Sequence, residues 1–184
     1  MAERASMAER ASMADSAWLR LKPPASRLIL QCDAPARDAA ARVWGVPFFE
    51  QSCRARAQGD RATLWLGPVE HLMWQGSREP KLPIEELERA LSSYPHSLVD
   101  VSHRQVALEI SGSQAATILA GACPLDLDLG QFPVNMCTRT VLAKAEIVLW
   151  RTAPEVFHLE VWRSFLSYAQ DLLKEFGREF SDAP

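Results

Sequence analysis

Few residues of this chain are placed to do chemistry, and their spacing excludes more than it supports. No Gly-x-Gly-x-x-Gly follows a strand and no Gly-x-x-x-x-Gly-Lys-Ser/Thr is present. Neither a dinucleotide loop nor a P-loop is therefore encoded, because both need glycines at fixed places to let phosphate approach the backbone. His158-Leu159-Glu160 matches the His-x-Glu element of zinc deaminases, but those sites also need a later Pro-Cys-x-x-Cys. No cysteine follows Cys137. On a strand His158 and Glu160 share a face and read as a solvated pair. His71, His96 and His103 are isolated, none with a cysteine or carboxylate at metal-ligand spacing. Cys123 could meet His103 in space. It lies between a helix end and Pro124, where a structural thiol is the plainer reading, since a nucleophile needs an exposed, electropositive setting. Asp126 and Asp128 offer two side-chain oxygens where a calcium-type site takes six or more ligands, and they read as solvated loop acids. No catalytic, cofactor-binding or metal-binding residue is predicted.

The least ordinary feature is aromatic. There are six tryptophans against two tyrosines. Core packing accounts for at least half of them. Trp65 differs, because Ala62, Leu64 and Leu66 fall on one face of its strand while Thr63 and Trp65 fall on the other. A large aromatic on a sheet face that no helix covers suits a subunit interface.

The elements that must position these residues follow from pattern. The first eighteen residues read MAERAS, MAERAS, MADSAW, a duplicated hexapeptide with Met1, Met7 and Met13 as possible starts. Two short copies build no solenoid, so residues 1–25, which include Trp18 and end near Pro23-Pro24, are expected to form a mobile leader. Strands are predicted at 27–32, 52–58, 61–66, 71–75, 98–101, 105–110, 138–143, 146–150 and 156–162. Asp33 caps a helix with Pro35 in its first turn and Gly45 as its stop. Further helices are expected at 82–94, 114–120 and 164–180, with 181–184 as a tail. Strands in runs with single helices between them indicate an α+β fold, with compact mixed or antiparallel sheets and about four helices. Residues 26–180 contain no linker-like stretch and form one domain.

Length and charge agree with one globular domain. The chain has 184 residues, 48% of them hydrophobic, with 20 basic and 23 acidic residues and a net charge of −3. A mildly acidic balance without a basic run points away from nucleic acid and from anionic membranes as partners. No segment is apolar and long enough to span a bilayer. Four widely spaced cysteines read as reduced thiols of a cytoplasmic protein.

Five strings in order resemble one family. They are Leu64-Trp65-Leu66-Gly67-Pro68, Val99-Asp100-Val101-Ser102-His103-Arg104, Cys123-Pro124-Leu125-Asp126-Leu127, Lys144-Ala145-Glu146 with Leu149-Trp150-Arg151, and Glu160-Val161-Trp162-Arg163-Ser164-Phe165. Together, over roughly residues 26–180, they resemble the gamma subunit of heterotetrameric sarcosine oxidase, itself similar to the folate-binding domain of the glycine-cleavage T-protein. The resemblance implies a non-catalytic chain of a cytoplasmic flavoenzyme that oxidises N-methylglycine with oxygen to glycine and hydrogen peroxide. The one-carbon unit passes to tetrahydrofolate or leaves as formaldehyde. It implies FAD, FMN, NAD and tetrahydrofolate in partner subunits and none in this chain. Partners would be the alpha, beta and delta subunits, with alpha as the direct contact. Interface residues are expected at Trp65, Ser102, His103, Arg104, Trp162 and Arg163. Two other readings remain open at this point: a stand-alone folate-binding protein of the T-protein type, and the same subunit in a complex acting on another N-methyl amino acid.

Overall fold

A computed structural model describes residues 17–77 and 81–181. The duplicated hexapeptide and residues 182–184 lie outside the described residues. Ten strands form two antiparallel five-stranded sheets. The first contains β1 (Leu19–Leu21), β7 (Gln105–Ser111), β10 (Val156–Trp162), β9 (Ala145–Ala153) and β8 (Cys137–Leu142), in that spatial order. The second runs β3 (Ala55–Gln58), β4 (Arg61–Gly67), β5 (Glu70–Gln75), β2 (Ser26–Cys32) and β6 (His96–Asp100).

Helices α1 (Ala34–Trp44) and α2 (Ile84–Leu91) cover the outer face of the second sheet, where Leu28, Leu30 and Met73 meet Trp44, Leu87 and Leu91. Helices α3 (Ala115–Ala120) and α4 (Leu166–Ser181) cover the first sheet, where Leu108, Leu149 and Leu159 meet Ile118 and Leu173. Between the sheets, Leu64, Leu66 and Leu72 pack on Cys137, Val148 and Trp150. The result is four layers, helix–sheet–sheet–helix, so most strands are covered on both faces. That covering decides the fate of every polar residue on an inward face.

Local chemistry explains the element ends. Asp33 Oδ1 accepts from the Ala36 N–H at 3.1 Å, and Gly45 at φ 83° donates to Ala41 O, closing α1 at both ends. The strand expected from Ser52 begins only at Ala55. Cys53 takes φ 58° and Arg54 bridges to Met136, turning this segment toward the first sheet. Helix α2 is shorter than expected: it begins after Pro83 and is capped at Ser92. A 3-10 turn, Arg163–Phe165, precedes α4.

The leader expected over residues 1–25 is corrected from Trp18 onward. Leu19–Leu21 pairs with β7 in the register Leu19↔Ile110 to Leu21↔Leu108, and Leu19 is fully buried. Trp18 lies against α4, where a Cβ at Gly177 would overlap its indole. This contact makes a prediction. Alanine is the better helix former by about 1 kcal/mol, yet Gly177→Ala is expected to lower stability by about 1 kcal/mol net, because overpacking costs about 1–3 kcal/mol. Chemical denaturation followed by tryptophan fluorescence checks it, with a red-shifted native emission as Trp18 is displaced.

Candidate functional site

Strand β10 alternates. Phe157, Leu159 and Val161 face α3 and α4, while His158 and Glu160 face the second sheet. The solvated His158/Glu160 pair expected from sequence is therefore corrected: the two residues are 5% and 0% exposed. The opposing sheet supplies the reason. Arg27 of β2 enters the interlayer and its Nε donates to Glu160 Oε2 at 2.6 Å, while Glu160 Oε1 pairs with His158 Nε2 at 2.8 Å. Arg27 Nη1 also donates to Ala25 O at 2.9 Å. The rings of Trp74 and Trp150 flank His158 at 5.3 and 5.6 Å. Burial pushes the Glu160 carboxyl up, but hydrogen bonds and charge from His158 and Arg27 outweigh it and hold it below the usual carboxylate range. Both carboxylate oxygens are spent within the chain, so this cluster ties the two sheets together. Arg27 carries no signal of this role beyond being the one charge in its strand.

The cluster reaches the surface through Ser102. The Arg27 backbone N–H donates to Ser102 Oγ at 2.9 Å, and the Ser102 N–H donates to Asp100 Oδ1 at 2.8 Å. Ser102 is 7% exposed, so its hydroxyl anchors the loop from β6 to β7. That loop presents His103 and Arg104 to solvent. The chain leaving β10 reaches the same place, because the Arg163 N–H donates to Arg104 O at 3.0 Å and Arg163 Nε to His103 O at 3.2 Å. The Arg104 guanidinium lies over the Trp162 ring at 5.3 Å. Trp162 is 41% exposed and Phe165, edge-on to Tyr168 at 6.2 Å, is 39% exposed.

Five of the six expected interface residues are thus brought together at one end of the first sheet. Trp65 is not. It is half-buried in the second sheet, on the face where Thr63 Oγ1 donates to Pro47 O at 2.7 Å and Arg61 stacks on Trp44 of α1. Helical cover on that face corrects the expectation of an open sheet. Phe165, which lies in the helix expected at 164–180, is exposed beside this group.

Burial raises three of the four thiols. The thiols of Cys32 and Cys137 are pushed up to about 11 and about 12, and Cys123 is also raised. Asp126 and Asp128 accept from the backbone N–H groups of Asp128 and Gly130. Among the described residues no three His, Cys, Asp or Glu side chains are grouped to hold a metal.

His71 is fully buried, edge-on to Phe48 at 5.1 Å, and burial, aided by the Arg37 charge, pushes its imidazole down to about 4. The unfolded chain takes up this proton near pH 6.5 and the folded chain only near 4. Stability is therefore complete above 6.5 and falls as pH drops from there toward 4. The loss expected between pH 6.5 and 5 is about 2 kcal/mol. Denaturant titrations at the two pH values check it, with His71→Leu flattening the slope by that amount.

Comparison with known proteins extends this geometry. The family described as "Sarcosine oxidase, gamma subunit family" matches residues 35–179. Sarcosine oxidase subunit gamma of Corynebacterium sp. (strain U-96) is 34% identical over 145 residues, 79% of this chain and 69% of that one. The Arthrobacter sp. subunit gamma is 36% identical over 121 residues, 66% of this chain and 58% of that relative's length. Among solved structures, a chain of the heterotetrameric sarcosine oxidase from Corynebacterium sp. U-96, in complex with pyrrole 2-carboxylate, superposes with a TM-score of 0.88 at 28% identity. That match covers 99% of this chain and 98% of the other. Glycine cleavage system aminomethyltransferase T from Bartonella henselae shares the fold, with a TM-score of 0.64 at 12% identity over 89% of this chain and 47% of that one. Among the described residues no helix is long and apolar enough to cross a membrane.

Proposed function

This chain belongs to the sarcosine oxidase gamma subunit family, and from that premise we propose that it is the non-catalytic gamma subunit of a cytoplasmic heterotetrameric sarcosine oxidase. The observation that carries the proposal is the agreement of nearly the whole chain with a chain of the solved heterotetramer. In such an assembly sarcosine and oxygen become glycine and hydrogen peroxide, and the one-carbon unit passes to tetrahydrofolate or leaves as formaldehyde. FAD, FMN, NAD and tetrahydrofolate belong to the larger subunits, and the working unit of this chain is one domain from β1 to α4.

The docking surface proposed is the patch of Trp162, Arg163, His103, Arg104 and Phe165, turned toward the alpha subunit. Two exposed aromatics beside two arginines have the composition of an interface centre. The non-catalytic reading is supported by where the polar groups are spent: Glu160 on Arg27 and His158, Ser102 on the Arg27 backbone, and the raised thiols on burial. A photo-crosslinking residue at position 162, in cells that make all four subunits, is expected to trap the alpha subunit. The same residue at position 85, on exposed α2, traps none. Equal adducts from both positions would reject this surface.

A further inference from the structure

The inner face of the first sheet runs on past the second sheet. Glu160, Val148 and Arg139 lie side by side across β10, β9 and β8, where Arg27 meets Glu160 and Glu70 meets Arg139, each at 2.6 Å. One step along the same face, Val141 pairs with Glu146, and Trp162 follows Val161, the partner of Ile147. This row is open: Val141, Glu146 and Trp162 are all exposed, whereas Val148 and Glu160 are buried. The second sheet stops beside it, at the β4–β5 turn that carries exposed Val69 next to Glu70. On the other flank, the Lys144 N–H donates to Tyr168 Oη at 3.4 Å, which seats the start of α4 and neighbouring Phe165 at the β8–β9 turn. Seven large apolar side chains are exposed among the described residues, and four of them, Val69, Val141, Trp162 and Phe165, thus gather at this one end. Such a cluster marks a contact surface, where single exposed side chains would need no explanation. The charges are as particular. Glu70 and Glu146 are both taken by Arg139, at 2.6 and 3.6 Å, and Asp100 accepts from the Ser102 N–H. Arg104, Lys144 and Arg163 make no ion pair among the described residues. In a chain of net charge −3, the unmatched charge at this end is therefore positive.

We propose that the docking surface continues from Trp162 across this ledge to Val141 and Val69, and that its occupant is a partner surface with an apolar ridge between carboxylates. The inference rests on the docking reading above and extends it. The ridge covers Val141 and Val69, and the carboxylates meet Arg104, Lys144 and Arg163 at the rim. Complementary charge favours that partner over a second copy of this chain joined through the same end, which would bring like cations together.

The test is surface plasmon resonance of the full chain against the gamma-depleted complex. Val141→Asp and Val69→Asp are each expected to weaken docking about tenfold or more, because each sets a carboxylate against an apolar ridge flanked by carboxylates. Leu129→Asp, in the loop that Arg151 holds at the opposite end of β9, is expected to dock as the parent does. Association should slow about tenfold as salt rises from about 0.01 to 0.15 M, where the screening length falls from about 30 to 8 Å. Lys144→Glu should lower the rate and flatten that dependence. Docking unchanged in both valine variants, or association no slower at the higher salt, would overturn the proposal. Loss of docking in Trp162→Ala without loss in the valine variants would reject the ledge and leave the docking patch standing. The reverse pattern would keep the ledge and reject Trp162 as its centre. A photo-crosslinking residue at position 141 gives a reading that does not depend on stability. It should trap the same subunit as position 162, and its failure to do so while 162 succeeds would also overturn the proposal.

Discussion

Glu160→Leu is expected to destabilise the chain by about 3–5 kcal/mol, because it leaves the Arg27 guanidinium buried between two sheets without its counter-ion. Arg27 is 2% exposed, and its Nε makes a 2.6 Å bond to the carboxylate that would be lost. For a domain with about 5–15 kcal/mol in total, that loss is a large fraction of the stability. The double variant Arg27→Met with Glu160→Leu separates charge from packing. It is expected to recover to within about 1 kcal/mol of the parent, since an apolar replacement of a buried pair is often neutral. Urea titration of the three proteins measures both effects. The pH dependence has a fixed sign. The folded Glu160 pKa is depressed, so its contribution is present above the unfolded carboxyl value and is lost as pH falls through the folded one.

Trp162→Ala is expected to weaken docking onto the other three subunits by about 2 kcal/mol or more, roughly thirtyfold, as truncating a central interface tryptophan commonly does. The same change should leave the melting of the chain alone within about 0.5 kcal/mol, because the indole is 41% exposed, with the Arg104 guanidinium over its ring. Surface plasmon resonance of chain against gamma-depleted complex, with parallel melts, distinguishes a docking residue from a structural one. A matching loss in both readouts would assign Trp162 to the fold.

The sequence made the short-range features legible and hid the long-range ones. Helix α1 was readable at both ends because Asp33, Pro35 and Gly45 act within a few residues of the bonds they make. The alternation of β10 placed Phe157, Leu159 and Val161 on one face and His158 and Glu160 on the other. Alternation does not say whether the second face meets water or another sheet, and here Arg27 arrives from 133 residues away. Strand β1 was hidden for a similar reason. Three residues carry no period, and their pairing with β7 lies far along the chain. At the candidate site, His103, Arg104, Trp162 and Arg163 were recognisable as strings of one family, and backbone bonds between the strand ends bring them together. Trp65 lies apart from that group: its face was correctly assigned, but that Pro47 and Trp44 pack against the same face at Thr63 and Arg61 belongs to tertiary structure.

The most direct measurement is purification of the tagged chain from its own cells under mild conditions, with the visible spectrum and sarcosine-dependent peroxide release recorded on the eluate. A yellow complex of four different chains that releases peroxide with sarcosine, while this chain alone is colourless and inactive, is the expected result. A colourless, stable, single chain from cells that contain the other subunits would contradict it.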